Sequence, residues 1–218
     1  NVGSGLWGSE EILIRKYFKP KSTILDIGCG TGRTSIHLHK LGYRVTGTDL
    51  TPAMIKNAKE IAKFKKLKIK YEVGDATNLK YKYSSFDNAI FSSCGWNQIP
   101  GENYRTNALK EVFRILKPGG HFILTSHIRK MRGFTFFWTK QWINFYILKP
   151  KEFNARVVEF GDYFYNLEGT CTTIQKQYVH MPRLKVVKEQ IAKVGFDLVF
   201  MARADIISNK NASDISPI

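Results

Sequence analysis

The stretch TILDIGCGTG, residues 23–32, decides the fold. Its first half is a short run of apolar and β-branched residues broken only by Asp26. Such a run, bounded by glycines, reads as a buried strand. Its second half sets Gly28, Gly30 and Gly32 at alternate positions. Glycines placed there let the chain turn sharply and let a ligand come close to the backbone where a helix begins. The helix that follows is RTSIHLHKLG (33–42), with Ile36, Leu38 and Leu41 inward and Gly42 as its stop.

The alternation continues outward from this corner. YRVTGTD (43–49) reads as a strand, and Thr51 and Pro52 open a helix as N-cap and first helical residue. LKIKYEVGD (67–75) and FDNAIFSS (86–93) read as strands, NYRTNALKEVFRIL (103–116) as a helix, residues 117–120 as a turn and HFILTSH (121–127) as a strand. Strands separated by helices imply βαβ units. The expected fold is α/β, a mostly parallel twisted sheet with helices on both faces. Ligands of such sheets sit beyond the strand C-termini. That gathers the loops at 28–32, 49–52, 75–78, 92–98 and 126–132 on one rim.

Three carboxylates end successive strands on that rim: Asp26, Asp49 and Asp75. A glycine turn of this kind serves a dinucleotide as well as S-adenosylmethionine, but two details separate them. The dinucleotide fingerprint needs a third glycine where this chain has Arg33; here Gly32 comes one residue early. Asp26 lies beside the turn, where it would repel a pyrophosphate and attract an ammonium and a sulfonium. Asp49 follows Gly28 by 21 residues and is suited to both ribose hydroxyls. Asp75 is suited to an adenine amino group, with the Ala76 N–H donating to a ring nitrogen.

LDIGCGTG, VTGTDLTPAMIKNAKE, YEVGDATNL, FDNAIFSS and LKEVFRILKPGGHFILTS together resemble the successive motifs of class I (Rossmann-like) S-adenosylmethionine-dependent methyltransferases. The resemblance covers about residues 23–127. It implies a seven-stranded sheet whose last strand is antiparallel. It also implies that Asp26 and the loop Gly28, Cys29, Gly30, Gly32 hold the methionine part of S-adenosylmethionine, Asp49 the ribose, and Asp75 and Ala76 the adenine. Leu50 and Met54 would line the adenine, or else pack in the core. Phe91 or Ser92 would close the floor, and Trp7 would be an N-terminal gate. The product would be S-adenosylhomocysteine.

With no repeat, low-complexity tract or linker, residues 1–218 are expected to form one domain. An N-terminal helix or gate (1–22) precedes a cofactor-binding core (23–127), an acceptor-side insert (128–182), and a last helix and strand (183–218). The insert holds an aromatic helical segment, GFTFFWTKQWINFYIL (133–148), and two strands within 157–182 around a turn near 167–169. RLKVVKEQIAKVGF (183–196) reads as a helix and DLVFMARA (197–204) as a strand. The start NVGSG reads as internal, and the end as stopping short of a final strand.

Composition bounds the partners. Hydrophobic residues make up 43% and charged ones 24%, which is globular. No apolar run reaches bilayer-spanning length. Cys29, Cys94 and Cys171 are odd in number and widely spaced, which fits a reducing cytoplasm rather than a disulfide framework. The net charge of +16 would attract nucleic acid, anionic membrane or acidic small molecules. Yet lysines outnumber arginines 24 to 10, and many crowd residues 56–70, which reads as a solvated face.

The acceptor side is less legible. Transfer from a sulfonium mainly needs in-line alignment of the acceptor, with no metal. A base is needed only where the acceptor must lose a proton. His127 and Asn97 are candidate catalytic groups, with His180 behind them. The substrate-binding set is Trp96, Asn97, Gln98, Tyr104, His127, Trp138 and Tyr165. A structural role for His127 is the blander reading, as is plain packing for Cys94. The aromatic segment reads as an ordinary cap helix, a lid over an apolar small acceptor, or a membrane-surface helix flanked by cations. The expected reaction is methyl transfer to an N or O atom of a small molecule. The rivals are an RNA or protein methyltransferase, a catalytically idle binding module and, last, an NAD-linked oxidoreductase.

Overall fold

In the computed structural model, β1 (Thr23–Ile27), β2 (Arg44–Asp49), β3 (Lys70–Val73), β4 (Phe86–Phe91) and β5 (Leu116–Leu124) form one sheet of order β3-β2-β1-β4-β5. Every neighbouring pair in it is parallel. The structure describes residues 5–130, 133–148, 159–166 and 176–209, with only the backbone of 165, 166 and 176.

A central parallel strand is covered on both faces, so it needs apolar residues on both. Ile24 packs with Ile14, Leu38 and Ile90, which brings in α1 (Gly8–Tyr17) and α2 (Arg33–Lys40). The next residue, Leu25, packs on the opposite side with Leu109 and Val112 of α4 (Glu102–Ile115) and Val187 of α6 (Leu184–Val194). The period of two thus sends consecutive buried side chains into different layers. Asp26 falls on the α2 side, a fully buried carboxylate in an otherwise apolar strand. α3 (Pro52–Phe64) closes the β2–β3 end through Ile55 and Ala58 against Tyr71.

The expected class of fold is the observed one, with corrections in detail. The resemblance implies seven strands; the main sheet has five among the described residues. β6 (Asp162–Asn166) and β7 (Lys176–His180) pair antiparallel in a small sheet of their own, and the expected turn near 167–169 lies outside the described residues. Residues 197–203 form no ladder, and α7 (Ala204–Ser208) begins where a strand was expected to end. Alternation alone misleads here. Leu198 and Phe200 are half-buried and Asp197 and Val199 exposed, as in a strand, but a strand also needs a neighbour's backbone. Side chains hold the segment instead, with the Phe196 ring 5.1 Å from Phe113 and 5.6 Å from Phe122.

Residues 117–120 are part of β5 rather than a separate turn. Phe86 pairs with Leu116 and Asn88 with His121, so a step of two residues along β4 matches five along β5 and the excess bulges out. Thr51 occupies the N-cap position of α3 without a side-chain cap; its N–H donates to Asp49 Oδ1 at 2.9 Å.

Candidate active site

Register places the strand ends on one edge. Ile27 pairs with both Thr48 and Phe91, Asp49 with Val73, and Phe91 with Leu124. The sheet changes winding direction between β1 and β4, which is where an open α/β sheet leaves a crevice. The glycine turn enters that crevice, and its three glycines differ in what they face. A Cβ on Gly28 would lie 2.9 Å from the Phe91 ring, and one on Gly32 would overlap the Tyr71 hydroxyl. One on Gly30 would meet nothing within 4 Å. Packing demands the outer two, while the middle one fronts open space, as a cradle for a ligand does.

The turn is tied to the next strand end. Gly30 N–H donates to Asp49 Oδ2 at 2.9 Å, and Cys29 N–H to the Thr48 carbonyl at 3.0 Å. Each Asp49 oxygen therefore carries one backbone bond, and a carboxylate oxygen can accept two. Asp75 accepts the Thr77 N–H and hydroxyl on Oδ1, both at 2.8 Å. Asp26 is the outlier. Ser35 donates to its Oδ2 at 2.5 Å, but its Oδ1 is buried with no partner. Burial raises its pKa to about 7, against the pull of Ser35 and Arg33 and with a further push from Glu10. Burial likewise pushes the Cys29 thiol up, so it is a packed thiol rather than a nucleophile.

The remaining expected cofactor residues fall on the same rim. Leu50 and Met54 are 67% and 42% exposed, which removes the core-packing alternative. Ala76 is half-buried beside the core, Phe91 floors Gly28, and Trp7 is half exposed. Ser92 is buried in a cluster that sequence reasoning did not reach. Its hydroxyl donates to Glu10 Oε1, and Glu10 also accepts the Trp7 N–H at 3.0 Å and both Arg33 terminal nitrogens at 3.1 and 3.2 Å. Arg33 further donates to Ser92, Ser93 and the Gly5 carbonyl, with Trp7 stacked 5.6 Å from its guanidinium. Four segments thus meet at Glu10: the N-terminus, α1, the start of α2 and the end of β4. Glu10 at the third position of a helix signals only the local bond to Trp7. Its bond to Arg33 has no sequence signal.

On the acceptor side, Asn97 is fully buried and its amide is spent on backbone. It donates to the carbonyls of His127 (3.1 Å) and His180 (2.7 Å) and accepts the His127 N–H (3.1 Å). It braces the rim to β7 rather than facing a ligand. Trp96 is also fully buried, its indole N–H on the Arg105 carbonyl. Gln98, Tyr104 and His127 are exposed, and Trp138 is the buried residue of α5 (Thr135–Ile143). The Tyr165 side chain lies outside the described residues.

The β6–β7 register sets Asp162 opposite His180. His180 Nδ1 lies 2.7 Å from Asp162 Oδ1, which also accepts from Tyr178, and Glu159 stands 3.6 Å from His180. Burial opposes the charge on Asp162, but the bonds from His180 and Tyr178 hold it below the usual carboxylate range. The ligand atoms of Glu159, Asp162 and His180 lie within 4.8 Å of one another, a set of metal-ligating type not expected from the sequence. Arg105 also pairs with Glu159, so one of the two carboxylates already has a cationic partner.

Residues 24–120 match the profile of a family described as a methyltransferase domain. The chain is 36% identical over 115 residues to norajmaline N-methyltransferase of Rauvolfia serpentina, covering 51% of this chain and 38% of that protein. It is 37% identical over 103 residues to demethylmenaquinone methyltransferase of Deinococcus radiodurans, covering 46% of this chain and 41% of that protein. The chain therefore spans about two fifths of these relatives' length. A SAM-dependent methyltransferase of Methanosarcina mazei superposes with a TM-score of 0.72 at 27% identity, over 86% of this chain and 85% of the other. A methyltransferase of Clostridium acetobutylicum, 14% identical, shares the fold with a TM-score of 0.65 over 97% of this chain and 87% of the other. Over residues 24–120 the chain is thus similar to a methyltransferase domain, and its fold is that of the S-adenosylmethionine-dependent methyltransferase of Methanosarcina mazei.

Proposed function

We propose that this domain transfers a methyl group from S-adenosylmethionine to a nitrogen or oxygen of a small molecule. The cofactor half rests on the open Gly30 tied to Asp49, together with the partnerless oxygen of the buried Asp26 in the strand that leads into that turn. When bound, the cofactor supplies a methyl group already activated by its sulfonium. The chain's own residues bind and orient. Asp26 offers an acceptor to the ammonium, Gly30 leaves room for the chain of the amino acid, and Asp49 accepts ribose hydroxyls. Asp75, Leu50 and Met54 flank the adenine.

The small-molecule half is supported by relatives named for norajmaline and demethylmenaquinone. The charge of +16 keeps a second reading, an RNA acceptor, in view. Titration calorimetry with S-adenosylmethionine tests the first half, and no heat at millimolar ligand rejects it. For the second, S-adenosylhomocysteine release is followed with panels of amines, phenols and tRNA. Turnover only on tRNA, with steep salt dependence, replaces the small-molecule reading.

A further inference from the structure

We propose that the outward side of α5 and the π-helical turn after it (Asn144–Leu148) is a docking face for an anionic lipid bilayer. It stands apart from the acceptor reading. The inward side of this segment is already well packed. Trp138 is buried with its N–H on the Lys130 carbonyl, and Phe137 and Phe145 lie against Tyr163 and Phe160. The outward side is apolar all the same. Phe136 is 85% exposed, Ile147 61%, Leu148 62%, and Trp142 and Tyr146 about half. Nothing in the core accounts for so many exposed apolar side chains in fourteen residues (135–148).

Charge selects the occupant. No Asp or Glu occurs between Glu111 and Glu152, while residues 129–151 carry Arg129, Lys130, Arg132, Lys140, Lys149 and Lys151. The other lysine-rich stretch, 56–70, contains Glu60, and Phe64 is the only large apolar side chain it exposes strongly. Among the described residues, exposed apolar side chains coincide at 130–148 with the exposed Lys130 and Lys140 and with no carboxylate in the same stretch. A second copy fits poorly, because a two-fold contact would set this segment, which has cations and no carboxylate of its own, against itself. Nucleic acid would use the charge and the aromatics but has no use for Ile147 and Leu148. A bilayer interface takes all three: aliphatic side chains into the acyl boundary, Trp and Tyr at the headgroups, lysines on anionic lipid. Among the described residues no helix is long and apolar enough to cross a membrane, so the segment would lie on the surface.

The test is co-sedimentation of the full chain with vesicles of phosphatidylcholine alone or with phosphatidylserine, at low and physiological salt. Binding is expected on the anionic vesicles only. The double variant Phe136→Ser/Ile147→Ser, altered at two exposed positions, should weaken it about tenfold. Lys140→Glu should weaken it about fivefold or more. Thermal melts check that both variants fold. Three results overturn the proposal: no binding to anionic vesicles at low salt; binding that the double variant leaves intact, so that net charge alone is responsible; or a dimer in sedimentation velocity that the double variant dissolves, so that a second copy covers the face.

Discussion

A buried carboxylate with one hydroxyl as its only partner holds on to its proton, and Asp26 is such a group. Its pKa is raised from 3.8 to about 7, chiefly by burial. Between those values the folded chain binds the proton and the unfolded chain does not. Stability contributed by this group is therefore complete below about pH 4 and lost as pH rises through about 7. A bound ammonium reverses the preference, because it favours ionised Asp26. Affinity for S-adenosylmethionine should rise by up to about tenfold per pH unit from pH 5 to 7, below the titration of an α-amino group near 8. Calorimetry across that range checks it. Asp26→Asn should bind weakly and with no pH slope, and a level wild-type profile rules Asp26 out as the ammonium's partner. Glu10→Ala should cost about 2 kcal/mol in urea unfolding, less than a fully buried pair because Arg33 keeps some water contact. It should also raise the KM for the cofactor, since Arg33 directly follows the glycine turn. The place of Asp26 was legible in the motif. Its proton affinity was not, because that depends on α2 packing over it. The role of Glu10 was invisible, because its partner Ser92 lies 82 residues away.

At the scale of elements, the glycine turn and the insert separate packing from binding. Gly32→Ala meets the Tyr71 hydroxyl and an unfavourable φ of 92°, so it should destabilise the fold by about 2 kcal/mol or more. Tyr71→Phe in the same chain should recover part of that loss. Gly30→Ala adds a methyl to open space, so it should keep most of its stability, less the strain of φ 54°, and lose cofactor binding. If Gly30→Ala binds normally, the open space beside it is not the cradle. The insert is pinned differently, through Asn97. Removing its amide strands three backbone groups, so Asn97→Ala should cost about 3 kcal/mol. Hydrogen exchange should quicken in β7 while β1 and β4 stay protected. The sequence carried the strands and helices of the core because each is punctuated by glycine, proline or a period of two or 3.6. It misread 197–204 because alternation reports which side chains are buried and not whether a neighbouring backbone is in reach. Trp96 and Asn97 looked like ligand contacts because they sit on a rim loop, but the 3₁₀ turn Gly95–Gln98 directs both inward.

For the whole molecule, a single edge of one sheet gathers Asp26, Asp49 and Asp75, which are separated by 49 residues of chain. That convergence was legible because parallel topology puts all strand C-termini on one side, whatever the helices between them contain. The fastening of the insert was not, because it rests on long-range side-chain bonds that no short motif encodes. The same convergence makes stability a reporter of ligand identity. A ligand that binds only the folded chain, at a hundred times its Kd, adds about 2.7 kcal/mol. For a chain of 218 residues that is a rise of roughly 5–10 °C in Tm. S-adenosylmethionine and S-adenosylhomocysteine should both produce it. NAD at equal concentration should not, because its pyrophosphate would face Asp26 and lacks the third glycine it needs at the position of Arg33. Thermal melts followed by circular dichroism decide the matter, and a shift with NAD equal to that with S-adenosylhomocysteine would mean that the carboxylates on this edge do not choose the ligand by charge.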